Sequence, residues 1–251
     1  MPPRLAVQLY SFGSVAPDGW SSIFEAIART GLTSIETVNV PTGDPATARR
    51  LAADHGLTIE SAHTSVNVRS MEGLEGRIAA IAEMGARWAF TPALVPIDLV
   101  DVATIERTAE VLDEARESCR RHGLGFGIHN HEHEFALLDG TPAWRLLLER
   151  VDPTTAWQLD VYWATAAGVA PTEAIAALGD RLVSVHLKDG TGRRDDPNVA
   201  LGDGQVDIAG SLAAARAKQT VETAIVEFDS CAGDVVEAIA RSTAYLRGLG
   251  G

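Results

Sequence analysis

His122-Gly123-Leu124-Gly125-Phe126-Gly127-Ile128-His129-Asn130 joins the end of a helical pattern to the start of a buried strand. Gly123 stands where a helix must stop, and glycine there adopts the left-handed conformation that turns the chain back. The same punctuation recurs in TGLTSIETV (30–38), HGLTIESAH (55–63), MGARWAFTP (84–92) and LGDRLVSVH (178–186). Before each of these glycines apolar residues follow i, i+3, i+4 spacing; after each comes a short β-like run. Such alternation marks repeated β-α units and a parallel sheet. Successive glycines lie 25, 29, 38 and 56 residues apart, and Val151-Asp152-Pro153 marks the boundary inside the last, double-length interval.

Strands are expected near residues 5–10, 33–38, 57–63, 87–92, 124–131, 155–161, 182–188 and 222–228. Eight strands are what a closed (β/α)8 barrel needs, and 251 residues is an ordinary length for one. The expected fold is a single (β/α)8 TIM barrel over residues 1–251. A doubly wound open sheet is the competing arrangement, because periodicity does not report closure. The glycines of 123–127 lead into a strand and not from a strand into a helix, so they do not form a pyrophosphate cradle.

Acidic residues outnumber basic ones 34 to 21, a formal net charge of −13. A chain so acidic repels phosphodiester backbones and anionic lipid surfaces, so neither nucleic acid nor membrane is expected as a partner. Two cysteines, Cys119 and Cys231, are too few for a disulfide framework. Met1-Pro2-Pro3-Arg4 runs straight into a strand-like segment, so no signal peptide is expected, and no apolar run reaches membrane-spanning length. The cytoplasm is the expected compartment, and a homo-oligomer stays open.

In a parallel barrel the chemistry sits at the carboxyl ends of the strands. Polar residues gather at those ends: Gln8, Glu36, His63, the run His129 to Glu134, Asp160, then His186, Lys188 and Asp189, and finally Glu227 and Asp229. Five of the seven histidines belong to this set. His55 and His122 instead precede helix-ending glycines, where a donor side chain complements the carbonyl end of the helix dipole. Imidazole and carboxylate together suit a divalent transition metal; a carboxylate-rich site would lean towards magnesium.

The strings GIHNHEHEF (127–135), QLDVYWATAAG (158–168), SVHLKDG (184–190) and VEFD (226–229) resemble the xylose isomerase-like TIM-barrel superfamily, in particular its sugar phosphate isomerase/epimerase branch. LAVQLYSF (5–12) and LGDGQVD (201–207) extend the resemblance over nearly the whole chain. It implies one divalent ion (manganese, cobalt, zinc or magnesium) bound by Asp160, His186, Glu227 and a strand-five residue. Relatives have glutamate in that last slot. Here His129 aligns with it and His131 follows on the same side of the strand, so both are candidates.

The resemblance also implies a small polyhydroxylated carbonyl substrate, proton abstraction beside the carbonyl and a metal-stabilised enediolate. A sugar isomerase or epimerase is the leading expectation. A lyase resembling the inosose dehydratases or keto-glycoside-cleaving enzymes is the alternative, and a non-catalytic sugar-binding barrel the remote one. Glu227, His131, Glu134 and Lys188 are the candidate acid-base groups; Gln8, Glu36, His63, Trp163 and Asp189 are candidates for holding substrate. The apurinic endonucleases of the superfamily need three metals and a basic groove, which this composition opposes. Arg193 and Arg194 are the only clustered basic residues in the relevant loops, and no phosphate cradle is evident.

Overall fold

A computed structural model describes residues 2–92, 94 and 99–250 of the chain. Met1 and Gly251, the ends of the expected domain, lie outside the described residues. Eight parallel strands form a closed barrel: β1 Arg4–Gln8, β2 Ser34–Val38, β3 Thr58–His63, β4 Trp88–Thr91, β5 Gly125–His129, β6 Ala156–Asp160, β7 Leu182–Leu187 and β8 Thr223–Val226. The hydrogen-bonded order runs β1-β8-β7-β6-β5-β4-β3-β2 and back to β1. This closure excludes the open sheet. Helices α1 Trp20–Arg29, α2 Pro45–Asp54, α3 Leu74–Glu83, α4 Val102–Arg121, α5 Ala143–Leu148, α6 Val161–Ala166, α7 Pro171–Leu178, α8 Ile208–Arg216 and α9 Val235–Gly248 connect and cover the strands. Among the described residues no helix is long and apolar enough to cross a membrane.

The stretch that announced the fold behaves as its residues require. Gly123 has φ 74°, and the backbone N–H of Leu124 bonds to the Cys119 carbonyl, which ends α4. Gly125 and Gly127 make room for the neighbouring strand: a Cβ at Gly125 would fall 2.3 Å from the Trp88 ring, and one at Gly127 would fall 2.6 Å from the Phe90 ring. Phe90, Ala156 and Val183, with Trp88 packed on them, form a small apolar cluster apart from the main core. That main core is built from the buried stripes of the helices and the outward residues of the strands, such as Ile35, Ile59, Ile128, Leu159 and Val185.

Three strands end two residues earlier than their alternation suggests. Leu9–Phe12 turns into a 3-10 helix, β5 stops at His129, and β8 stops at Val226. The pairing register slips between Ile35 and Glu36 on β2, and between Trp157 and Gln158 on β6. These slips set Glu36 opposite Ser61 and Gln158 opposite Ser184, so that four polar side chains enter the barrel interior in pairs. At the opposite end Arg4 pairs with Glu60 at 2.8 Å and Arg87 with Glu222 at 3.0 Å.

Candidate active site

Beneath the mouth lies a buried polar floor centred on Glu36. Its Oε1 accepts from Gln8 Nε2 at 2.7 Å, and its Oε2 accepts from Gln158 Nε2 at 2.8 Å and from the Ser61 hydroxyl. His186 Nε2 lies 2.6 Å and His63 Nε2 3.1 Å from Glu36 Oε1. Burial alone would raise this carboxyl, but the imidazoles of His63 and His186 outweigh it and hold Glu36 well below the usual range. The floor is thus anionic at its centre.

Above it, His129, Asp160, His186 and Glu227 converge from β5, β6, β7 and the end of β8. One ligand atom from each lies within 4.8 Å of the others, and all four residues are buried. Asp160 caps α6: its Oδ1 accepts the backbone N–H groups of Tyr162 and Trp163 at 2.9 and 3.0 Å. Its Oδ2 has no hydrogen-bond partner among the described residues, although Lys188 Nζ lies 3.0 Å away, off the direction a hydrogen bond requires. A buried carboxylate oxygen left in this way, 3.7 Å from His129 Nε2, fits a cation held by two imidazoles and two carboxylates. His63 also falls within 4.8 Å of His129 and His186, giving a second group that shares two of the same rings.

Electrostatics at the mouth are dominated by Lys188, which is fully buried. Its Nζ lies 2.8 Å from Glu227 Oε2 and from Asp229 Oδ1, as well as close to Asp160. Desolvation would lower the ammonium, but Asp160, Glu227 and Asp229 overcome it and hold Lys188 well above its ordinary value. Desolvation likewise opposes a charged His186, yet Glu36 and Glu227 on either side push it up to about 10. A metal ligated by this ring therefore replaces a proton. Burial raises Glu227, whereas Lys188 and His186 more than reverse that, so it is ionised at neutral pH. Burial also raises Asp160, and raises Asp229 to about 6 against the pull of Lys188. Both His129 and His131 are driven down by burial, His131 to about 3, so both rings are neutral at pH 7.

A cavity of about 230 Å3 opens onto this group, lined by Tyr10, Val38, His63, Pro92, His129, His131, Lys188, Glu227 and Asp229. A wider depression of about 690 Å3 shares Tyr10, Val38 and Asp229 with it. Lys188, Glu227, His63, His129 and His131, all legible in the sequence, therefore meet at one wall. His131 lies past the end of β5, its ring centroid 5.4 Å from that of His129, and it is not among the four side chains that converge.

Other candidates are engaged elsewhere. Glu134 accepts the backbone N–H groups of Leu94 and His131, and Asp189 accepts four, from Gly190, Gly202, Gly204 and Val206. Both carboxylates fasten loops, and neither lines the cavity among the described residues. Gln8 and Glu36 lie in the floor. Trp163 packs beside His131, with Lys188 Nζ 5.8 Å from its ring centroid and the Arg194 guanidinium at 5.7 Å. His55 contacts Ser21, and His122 contacts Glu75; both end helices, as their positions predict. Gln158 went unremarked in the sequence, yet it touches His63, His129, Glu36 and Ser184. Its signal is the two-residue alternation that puts it on the same side of β6 as Asp160.

The sequence profile of the xylose isomerase-like TIM barrels matches residues 24–249. No curated protein gives a significant sequence match. Among solved structures, a sugar phosphate isomerase/epimerase from Parabacteroides distasonis superposes with a TM-score of 0.84 at 21% identity, covering 98% of this chain and 94% of that one. A probable 3-DHS dehydratase from Bacillus anthracis gives 0.80 at 13% identity over 97% and 98% of the two chains. A D-allulose 3-epimerase from Methylomonas sp. gives 0.76 at 16% identity over 99% and 98%. At these identities the likeness is one of fold.

Proposed function

The chain belongs to the xylose isomerase-like TIM-barrel family, and we propose that it is a divalent-metal-dependent isomerase or epimerase of a small sugar, keto-sugar or cyclitol. The observation that carries this reading is the convergence of His129, Asp160, His186 and Glu227 at a cavity that also holds a buried ammonium. Two imidazoles and two carboxylates favour manganese, cobalt or zinc over magnesium. When bound, the ion supplies Lewis acidity to the carbonyl and to the charge that develops beside it.

The protein's own groups do the rest. Glu227, ionised and lining the cavity, takes the proton from the carbon next to the carbonyl. Return of that proton to the neighbouring carbon gives an isomerase; return to the opposite face gives an epimerase. Lys188, which lines the same cavity, donates from Nζ to a substrate oxygen. His63 lines the wall and orients a hydroxyl. Tyr10, Val38 and Pro92 line the cavity beside these polar groups.

One feature favours a lyase or dehydratase as the second reading. The cavity's two carboxylates, Glu227 and Asp229, both come from the β8 side, and the strand-five slot opposite is a neutral imidazole. Proton return from the far side then falls to His131, which burial holds neutral at pH 7 and so without a readily transferable proton, and expulsion of a β-substituent competes with symmetrical epimerisation. The fold neighbours include both an epimerase and a dehydratase.

The test is incubation of manganese-loaded protein with a panel of ketoses, inososes and 3-keto-glycosides in deuterated water. Deuterium at the carbon beside the carbonyl is expected, and product analysis separates isomerase, epimerase and lyase. A metal-replete chain that exchanges no proton of any panel member overturns the enzymatic reading.

A further inference from the structure

Gln158 is fully buried on β6, two residues before Asp160. Its Oε1 lies 2.7 Å from His63 Nε2 and 3.1 Å from His129 Nδ1. Its Nε2 donates to Glu36 Oε2 at 2.8 Å and to Ser184 Oγ at 3.2 Å. The orientation of the amide follows from its partners: turned over, it would set its oxygen against a carboxylate oxygen, two acceptors with no proton between them. With the amide fixed, its oxygen has only acceptance to offer, so each ring nitrogen facing it must carry a hydrogen.

A neutral imidazole carries one N–H and one lone pair. If Nδ1 of His129 donates to Gln158, the lone pair is on Nε2, the nitrogen that lies 3.7 Å from Oδ2 of Asp160, one of the converging carboxylates. The opposite tautomer would turn an N–H towards that position and leave a lone pair against the Gln158 oxygen. We propose that Gln158 is a positioning residue that locks His129 in its Nδ1–H tautomer, so that Nε2 is presented to a divalent ion. The inference rests on the metal reading above.

The lock is stiff because it is anchored at both ends. Gln158 is tied to Glu36, which Gln8 and Ser61 hold in turn, so β1, β2, β3 and β6 together fix the atom that sets a ring on β5. Glu36 acts on His186 in the same manner, taking its Nε2 and leaving Nδ1 on the Glu227 side. Outer hydrogen bonds of this kind fix ring orientation and raise ligand basicity, and losing one costs about 10–100-fold in metal affinity.

The experiment reads the tautomer directly, by long-range 1H–15N correlation of the imidazoles in metal-free, histidine-labelled protein, with His129→Ala supplying the assignment. Wild type is expected to give the Nδ1–H pattern for His129. Gln158→Leu should move that ring towards the Nε2–H form and weaken manganese binding about 10-fold or more by calorimetry. An Nε2–H ring in the wild-type protein overturns the proposal, even where the variant does not fold. So does a Gln158→Leu protein whose His129 spectrum and manganese affinity match wild type. A wild-type chain that binds no manganese, cobalt, zinc or magnesium while His129 carries its proton on Nδ1 overturns the metal reading, and with it the purpose assigned to the lock.

Discussion

Lys188 Nζ stands 3.0 Å from Asp160 Oδ2 and bridges onward to Glu227 and Asp229, a buried ammonium among three carboxylates. Removing one partner of such a group leaves the others uncompensated in a medium that solvates them poorly, at a cost of about 3–5 kcal/mol. Lys188→Met should therefore lower the melting temperature of the metal-free protein strongly. Manganese, supplying positive charge to the same carboxylates, should raise the melting temperature of the variant by more than it raises wild type. Thermal denaturation with chelator and with manganese checks both; an unchanged metal-free transition would mean that the carboxylates do not depend on the ammonium.

Asp160 divides its oxygens between two tasks, Oδ1 capping α6 and Oδ2 facing the converging imidazoles. Alanine would remove both, and the lost cap alone costs about 0.5–2 kcal/mol. Asp160→Asn separates the tasks, because the amide oxygen still caps while an NH2 group replaces the oxygen offered to the ion. The expected outcome is a retained α6 cap, a melting temperature lowered by loss of the charge beside Lys188, and metal content, measured by elemental analysis, reduced to a small fraction of wild type. Full occupancy in this variant would remove Asp160 from the ligand set.

The barrel was legible because its evidence is local and repeated. Gly31, Gly56, Gly85, Gly123 and Gly179 all have positive φ at helix ends, and each is followed by a strand. Strand ends were less legible. Leu9 remains buried in the 3-10 turn after β1, so apolar alternation continues where strand pairing has stopped. The candidate site was legible as a set of chemically suitable residues at the mouth, but not as a division of labour. Asp189 looks like a substrate contact beside His186 and Lys188, yet it holds backbone N–H groups as far along the chain as Val206. That is a property of loop shape, and no residue pattern encodes it. Gln158 was missed for the complementary reason: an uncharged amide draws no notice until the two rings it touches are in view.

Glu75 on α3 gives a test of the helix layer. Its carboxylate is bonded by Ser118 and His122, with Arg121 adding charge, and is lowered from an ordinary 4.5 to about 2. A carboxyl whose folded value lies below its unfolded value contributes stability that is complete above the unfolded value and fades as pH falls towards the folded one. Glu75→Gln should accordingly melt below wild type at pH 6, with the gap closing between about pH 4.5 and pH 2. Because the side chain is largely exposed, the gap should be small and should shrink in high salt. A gap independent of pH would mean that hydrogen-bond geometry, and not charge, joins α3 to α4.

Glu227 and His129 should fail in different ways, because one is proposed to ligate and move a proton and the other only to ligate. Glu227→Gln keeps the side chain's size and an oxygen near His186 Nδ1, now 2.6 Å from the carboxylate, and retains Lys188 beside it. What it loses is the capacity to take a proton. Metal should remain measurable, while exchange of the substrate's α-proton with deuterated solvent falls by about 100-fold or more, the usual contribution of a positioned base. His129→Ala removes an imidazole whose lowered basicity already keeps it neutral and ready to ligate, so metal affinity should fall first and exchange only as occupancy falls. Raising the manganese concentration should then restore turnover in His129→Ala but not in Glu227→Gln. If excess metal rescues neither, both side chains act on the substrate. If it rescues both, Glu227 is a ligand alone and the base must be sought at Asp229, the other carboxylate lining the cavity.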